Sequence, residues 1–285
     1  MLQRIEAAVK RAFTRFVGVD LGGGRGKTTA VAELRSGPAG AEVIEVATRS
    51  TRQPWTDDTL VTRLADGEHG GRVIAIDAPL TQTACGRCER PVCPGMEACA
   101  DPSVVWLRTS GRTLIRKVAA ATVGGGPRTQ PTAQARLAPY AHRATDVVMT
   151  YERGLLPLTA LGATNGAVAA RATQLRRRLR GAGYQLHENL LEVSPAATVA
   201  ALCGSKAARG YKRDADPWRT RALILEKLVD LSFAPQSRMA REDVLGNDHC
   251  FDAVISAYTA YLWARDGWPA PEGAFAEDGW IYAPP

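Results

Sequence analysis

No stretch of the chain reaches the roughly 18 consecutive apolar residues that a membrane-spanning helix requires, so no membrane association is expected. The N-terminus MLQRIEAAVKRAFTRF is basic but lacks the apolar core of a secretory signal. Its Leu2, Ile5, Val9 and Phe13 recur at helical spacing and predict a short amphipathic helix leading into the first strand. These absences place the expected location in the cytoplasm. Internal repeats and a clear interdomain linker are also missing, so one domain over 1–285 is expected, with a core at about 16–265. The tail at 266–285 holds Asp266, Glu272, Glu277 and Asp278 and no lysine or arginine, and its prolines predict a surface wrap. With 45% apolar and 23% charged residues, the composition excludes a disordered or collagen-like chain. The net charge of +7 permits an anionic partner without requiring one.

Several apolar runs carry an acid at or near their end. Phe16–Asp20 is the first, followed by a glycine-rich turn and strands expected at Thr28–Leu34 and Glu42–Thr48. A helix fits Trp55–Leu64. Arg72–Asp77 is near-continuously apolar, as in a strand of a parallel sheet buried on both faces. Asn189–Val193 carries Glu192. Helices are expected near 140–182 and over Arg219–Leu231. Asp248–Ala264 has an apolar stripe of Phe251, Val254, Ile255, Tyr258 and Leu262. This order of elements predicts an α/β fold, a mixed sheet flanked by helices, with a cysteine-rich loop insertion at 85–99 and a helical insertion at about 140–182.

A carboxylate at a strand end is costly unless paired, hydrogen-bonded or on a metal. In open α/β sheets, ligand sites gather at the carboxyl ends of strands. Asp20, Asp77 and Glu192 would converge there if their strands are parallel neighbours. Asp248 and Asp252, four apart, share one helix face. Such a set suits Mg²⁺ or Mn²⁺, and two such ions support phosphodiester hydrolysis. Each acid also has a structural reading: Asp248 or Asn247 as a helix N-cap, Asp77 closing a turn before Ala78-Pro79, Glu192 paired with an arginine.

Val17-Gly18-Val19-Asp20, Ile76-Asp77-Ala78-Pro79, Glu192-Val193-Ser194-Pro195 and Asn247-Asp248-His249-Cys250-Phe251-Asp252-Ala253 resemble the motifs of a family catalogued as domain of unknown function 429. That family is regarded as nucleases of the ribonuclease-H-like superfamily. The order is also similar to Holliday-junction resolvases, with an Asp on the first strand, an acid on the fourth and a paired Asp set on the last helix. The resemblance implies a ribonuclease-H-like fold and a two-metal nuclease. Asp20, Asp77, Asp248 and Asp252 would be metal ligands, with Asp20 bridging and Glu192 an outer ligand or orienter. His249 would orient or contact substrate, or be structural.

Cysteine is sparse, six in all, yet Cys85, Cys88, Cys93 and Cys99 fall within fifteen residues. In a reducing compartment such a cluster points to metal, zinc or an iron–sulfur cluster, more than to disulfides. Cys203 and Cys250 stand apart and are expected in the core. Between Arg153 and His187 there are six arginines and no acid. Arg176, Arg177, Arg178 and Arg180 either contact nucleic-acid phosphates or complement the end of a helix dipole. Lys212 meets substrate phosphate or faces solvent.

The run Gly22–Thr28 lacks the first glycine of a phosphate-binding P-loop, since Leu21 stands there. Two other readings stay open. An actin-like or sugar-kinase-like ATP-dependent phosphotransferase fits Asp20-Leu21-Gly22, with Gly124–Gly126 as a weak adenosine loop. A non-catalytic nucleic-acid-binding module is the other. The oligomeric state is not legible in the sequence.

Overall fold

A computed structural model describes residues 12–23, 28–66, 71–122, 137–155, 166–237, 239 and 241–285. The expected N-terminal helix falls mainly on 1–11, outside the described residues. So do part of the glycine turn at 24–27 and the Gly124–Gly126 loop.

In chain order the elements are β1 (Arg15–Asp20), β2 (Ala30–Gly37), β3 (Gly40–Ala47), β4 (Arg49–Ser50), β5 (Gln53–Pro54), α1 (Asp57–Ala65) and β6 (Arg72–Asp77). Then come α2 (Pro102–Trp106), a π-helical turn (Leu107–Gly111), α3 (Arg112–Thr122), α4 (Ala144–Tyr151) and α5 (Gly166–Gly181). The chain continues through β7 (Leu190–Val193), α6 (Pro195–Cys203), α7 (Ser205–Arg213), α8 (Pro217–Lys227), β8 (Leu231–Phe233) and α9 (Arg241–Gly246). It ends with α10 (Asp248–Asp266), α11 (Ala274–Asp278) and β9 (Ile281–Tyr282).

The fold is α/β, with a seven-stranded mixed sheet in the order β8-β3-β2-β1-β6-β7-β9. Strand β2 runs antiparallel to β1 and β3, whereas β6 runs parallel to β1, β7 parallel to β6 and β8 parallel to β3. The described residues form two compact units. One comprises those up to Ala78, Gln174–Ala270 and Tyr282–Pro285, and the other Pro79–Thr173 and Pro271–Ile281. Among the described residues no helix is long and apolar enough to cross a membrane.

In the first unit, β1 and β6 are apolar on both faces because helices cover the sheet. One covering helix is α10. Its apolar residues do not form a single stripe against a solvated face, as the spacing predicted. Every residue from Cys250 to Ala264 is buried. The small residues Ala253, Ala257 and Ala260 permit this, and Thr259 meets Thr198 of α6 through hydroxyls 2.7 Å apart. Asn247 caps the helix, its Oδ1 accepting from the His249 and Cys250 amides at 3.0 and 3.3 Å. Gly267, at φ 64°, closes it in the left-handed conformation that glycine adopts without strain.

The expected helix over Arg219–Leu231 starts earlier and stops at Lys227. Asp216 caps it, with Pro217 in its first turn. Leu231 instead opens β8, a short edge strand beside β3.

The second unit is mainly helical, around Leu107, Ile115, Leu137 and Val147. Within it, Arg143 and Asp146 form a fully buried pair at 2.7 Å. The C-terminal segment is not the surface wrap its prolines and acids predicted. Asp278 is completely buried, accepting from Arg87 at 2.9 Å and from the Ala144 amide. Ile281, Tyr282 and Ala283 are buried as well. An acid at low exposure finds its partners in the fold rather than in water.

Candidate metal centre

Register brings the first two acids together. Strands β1 and β6 are parallel, and Asp20 is the direct partner of Asp77 at their carboxyl ends. Register partners in a parallel pair project to the same face, so both carboxylates leave the sheet on one side. That is the side of α10, since Gly18 and Phe16, two and four residues before Asp20, meet it. Phe16 packs edge-on against Tyr261 at 5.6 Å. A Cβ on Gly18 would stand 2.0 Å from the Ala253 carbonyl oxygen and 2.3 Å from the Ala257 nitrogen. The missing side chain lets α10 lie directly on β1 and delivers Asp252 to the acid pair. Among the described residues, Asp20, Asp77 and Asp252 alone bring three candidate ligand atoms within 4.8 Å of one another.

The electrostatics follow from that crowding. Burial, then the charges of Asp20 and Asp252, push the Asp77 carboxyl well above the usual aspartate range. Burial raises Asp252 to about 6, even though Lys212 acts in the opposite direction. The Lys212 ammonium, on α7, rests against Asp252 Oδ2. Tyr211, beside it, stacks obliquely on Phe251 with ring centres 5.4 Å apart, and burial raises its hydroxyl far above the ordinary tyrosine value. On the other side of Asp20, His249 Nδ1 lies 2.6 Å from Asp20 Oδ2. That hydrogen bond is the largest cause of a raised His249 pKa.

The family model described as "Protein of unknown function (DUF429)" matches residues 18–274. The chain belongs to the DUF429 family. Neither the comparison with curated proteins nor that with solved structures returned a match.

In this DUF429 chain the acids expected at the site divide. Asp20, Asp77 and Asp252 come together, whereas Asp248 and Glu192 stay outside the three-oxygen group. Asp248 occupies the first turn of α10, where a negative charge complements the helix dipole, and the capping role falls to Asn247. Its charge reaches His249. Glu192 is the register partner of Ile76, one residue short of Asp77, so it leaves the sheet on the opposite face. It is 2% exposed, and its charge is felt at Arg176.

The arginines of α5 also divide. Arg178 pairs with Asp58 at 2.7 Å. Arg176 is held below the ordinary arginine value by burial and then by Arg180. Arg177 and Arg180 are exposed. Cys250 is buried and its thiol is pushed up to about 12, mainly by burial. Cys203 is only partly buried.

The contributions of Gly18 and Tyr211 to this centre were not foreseen. The glycine in Val17-Gly18-Val19-Asp20 was the available signal, because glycine inside a buried strand marks a close backbone approach.

Proposed function

We propose that this DUF429 protein is a divalent-cation-dependent nuclease of ribonuclease-H-like fold that hydrolyses phosphodiester bonds in nucleic acid. One observation carries the reading. Two parallel strand ends and a buried helix supply Asp20, Asp77 and Asp252, with ligand atoms within 4.8 Å of one another. The placement supports the superfamily: an Asp on the first strand, an acid on the fourth long strand and an Asp on the last long helix.

The donor set is all hard carboxylate oxygen, which suits Mg²⁺ or Mn²⁺ over softer ions. Such ions, when bound, supply an activated water and stabilise the leaving oxygen of the scissile phosphate. The side chains do the rest. Asp20, Asp77 and Asp252 hold the cation site, and Asp248 serves as an outer group on the same helix. His249 fixes the orientation of the Asp20 carboxylate through its Nδ1 contact, and its half-exposed ring remains within reach of a substrate. Lys212 neutralises Asp252 while the site lacks a cation. With 42% of its side chain exposed, it is free to turn to a phosphate oxygen when substrate arrives. Arg177 and Arg180 offer phosphate contacts whose strength would fall steeply with salt. The expected products carry a 5′-phosphate and a 3′-hydroxyl.

The test is cleavage of a panel of duplex, branched and single-stranded DNA and RNA with Mg²⁺ or Mn²⁺. Asp20→Asn should abolish cleavage while the circular dichroism spectrum stays unchanged. Undiminished cleavage by Asp20→Asn would refute the assignment. ATP turnover that depends on a small acceptor would replace it with the phosphotransferase reading.

A further inference from the structure

The segment from Ala78 to Asp101 contains no helix or strand, and every residue from Cys88 to Gly95 is exposed. A loop of that length without secondary structure or a core of its own is unusual unless something else fixes it. Its base is well tied. The Cys85 amide donates to Pro139 O at 3.2 Å, and Arg87 reaches Asp101 at 3.2 Å, Ser103 Oγ at 3.0 Å and Asp278 at 2.9 Å. Arg108 donates to the carbonyls of Met96 and Cys99 at 3.0 and 2.8 Å. Among the described residues the tip has no comparable anchor, and Val92 there is 78% exposed.

What the loop does hold is sulfur. Cys85, Cys88, Cys93 and Cys99 are all free thiols. They lie near enough to one another that the charges of the other three reach Cys85. The turn Cys93-Pro94-Gly95 directs the Gly95 amide onto Cys93 Sγ at 3.4 Å, with Gly95 at φ 81°.

We propose that Cys85, Cys88, Cys93 and Cys99 bind one zinc ion that cross-links this exposed loop. Four thiolates satisfy a closed tetrahedral structural site, and each ligand releases its proton to solvent on binding. Among the described residues no three of these sulfurs lie within 4.8 Å of one another, so the ion must draw the tip inward. The exposed tip can make that movement without disturbing a core. The ion does for this loop what buried apolar side chains do elsewhere, and its binding energy is folding energy for the segment.

The experiment uses the full chain, purified anaerobically under reducing conditions, with metal content measured by mass spectrometry. One zinc per chain is expected, retained in Asp77→Asn, which separates this site from the carboxylate cluster. Cys88→Ser and Cys93→Ser should each lower bound zinc at least five-fold. Should these variants fail to fold, the wild-type chain still decides. Removing the metal should expose four additional thiols to a colorimetric reagent, and adding Zn²⁺ alone should protect them again. A preparation without zinc and unable to take up one equivalent would overturn the proposal. So would iron in its place, or disulfides among these cysteines in the non-reduced mass.

Discussion

Gly18 and Ala253 touch backbone to backbone: a Cβ on Gly18 would stand 2.0 Å from the Ala253 carbonyl oxygen. This contact sets how closely α10 approaches β1, and therefore how closely Asp252 approaches Asp20. Gly18→Ala must push the helix away from the strand, because the obstructing atoms are backbone and cannot rotate aside. Overpacking of a buried site costs about 3 kcal/mol. The expected result is a lower urea midpoint together with loss of Mn²⁺ binding by calorimetry. A variant of wild-type stability that still binds Mn²⁺ would contradict the role assigned to the contact.

Lys212 against Asp252 is the one charge-neutralising contact the acid cluster has from a lysine or arginine among the described residues. Lys212→Met leaves a buried carboxylate without its cation. Because the lysine is partly exposed, the destabilisation at pH 7.5 is expected at about 1–2 kcal/mol, well below the cost of breaking a fully buried pair. Mg²⁺ should recover more stability in the variant than in the wild type, since it takes over the counter-charge. Equal Mg²⁺-induced shifts in melting temperature for the two proteins would argue that Lys212 and the cation do not share a site.

The parts of this site carried by local patterning were legible beforehand. The apolar runs expected at Phe16–Asp20 and Arg72–Asp77 are the strands Arg15–Asp20 and Arg72–Asp77, and Asp248–Ala264 lies within α10. What depended on register was not legible. Nothing local to Asn189–Val193 says that Glu192 falls beside Ile76 rather than Asp77, and that single-residue offset sends it to the other face. The contact of Lys212 with Asp252 joins α7 to α10 across 40 positions of sequence, and no spacing rule reaches that far. The three-residue strand β8 is too short to show alternation, so a helical pattern absorbed Leu231. The tail misled for another reason. Acids and prolines suggest surface, but Asp278 is buried because Arg87 and the Ala144 amide satisfy it.

Arg143 and Asp146 make the corresponding commitment in the second unit. The guanidinium is completely buried, contacts Asp146 at 2.7 and 3.1 Å and donates to Thr81 Oγ1 at 2.8 Å. Arg143→Met removes the cation but leaves the buried carboxylate, at an expected cost of about 3–5 kcal/mol. Adding Asp146→Leu should return a substantial part of that loss. Chemical denaturation of the single and double variants measures both quantities. A double variant no more stable than Arg143→Met would mean that Arg143 acts through Thr81 and packing, not through the charge pair.

The acid cluster also gives the metal-free protein a particular pH dependence. Asp252 is raised from about 3.9 in an unfolded chain to about 6 in the folded one. Asp77 is raised well above the usual aspartate range as well, by burial and then by the charges of Asp20, Asp252 and Glu192. Between these values the native state holds more protons than the unfolded state, so stability must fall as pH rises through the window. For Asp252 alone, about two units correspond to a fall of about 3 kcal/mol. His249, raised by Asp20, and Asp278, raised by burial, act in the same direction. Asp77→Asn/Asp252→Asn removes the cluster's share and leaves that of Asp278 and the larger, Asp20-dependent part of that of His249, so the difference between variant and wild type reports chiefly on the cluster. Urea unfolding in EDTA from pH 4 to 8 should show wild-type stability declining more steeply than that of the double variant. Saturating Mg²⁺ should flatten the wild-type curve, because a bound cation replaces the protons that held the carboxylates neutral. The same slope with and without Mg²⁺ would mean that the cation binds elsewhere, and the nuclease reading would lose its centre.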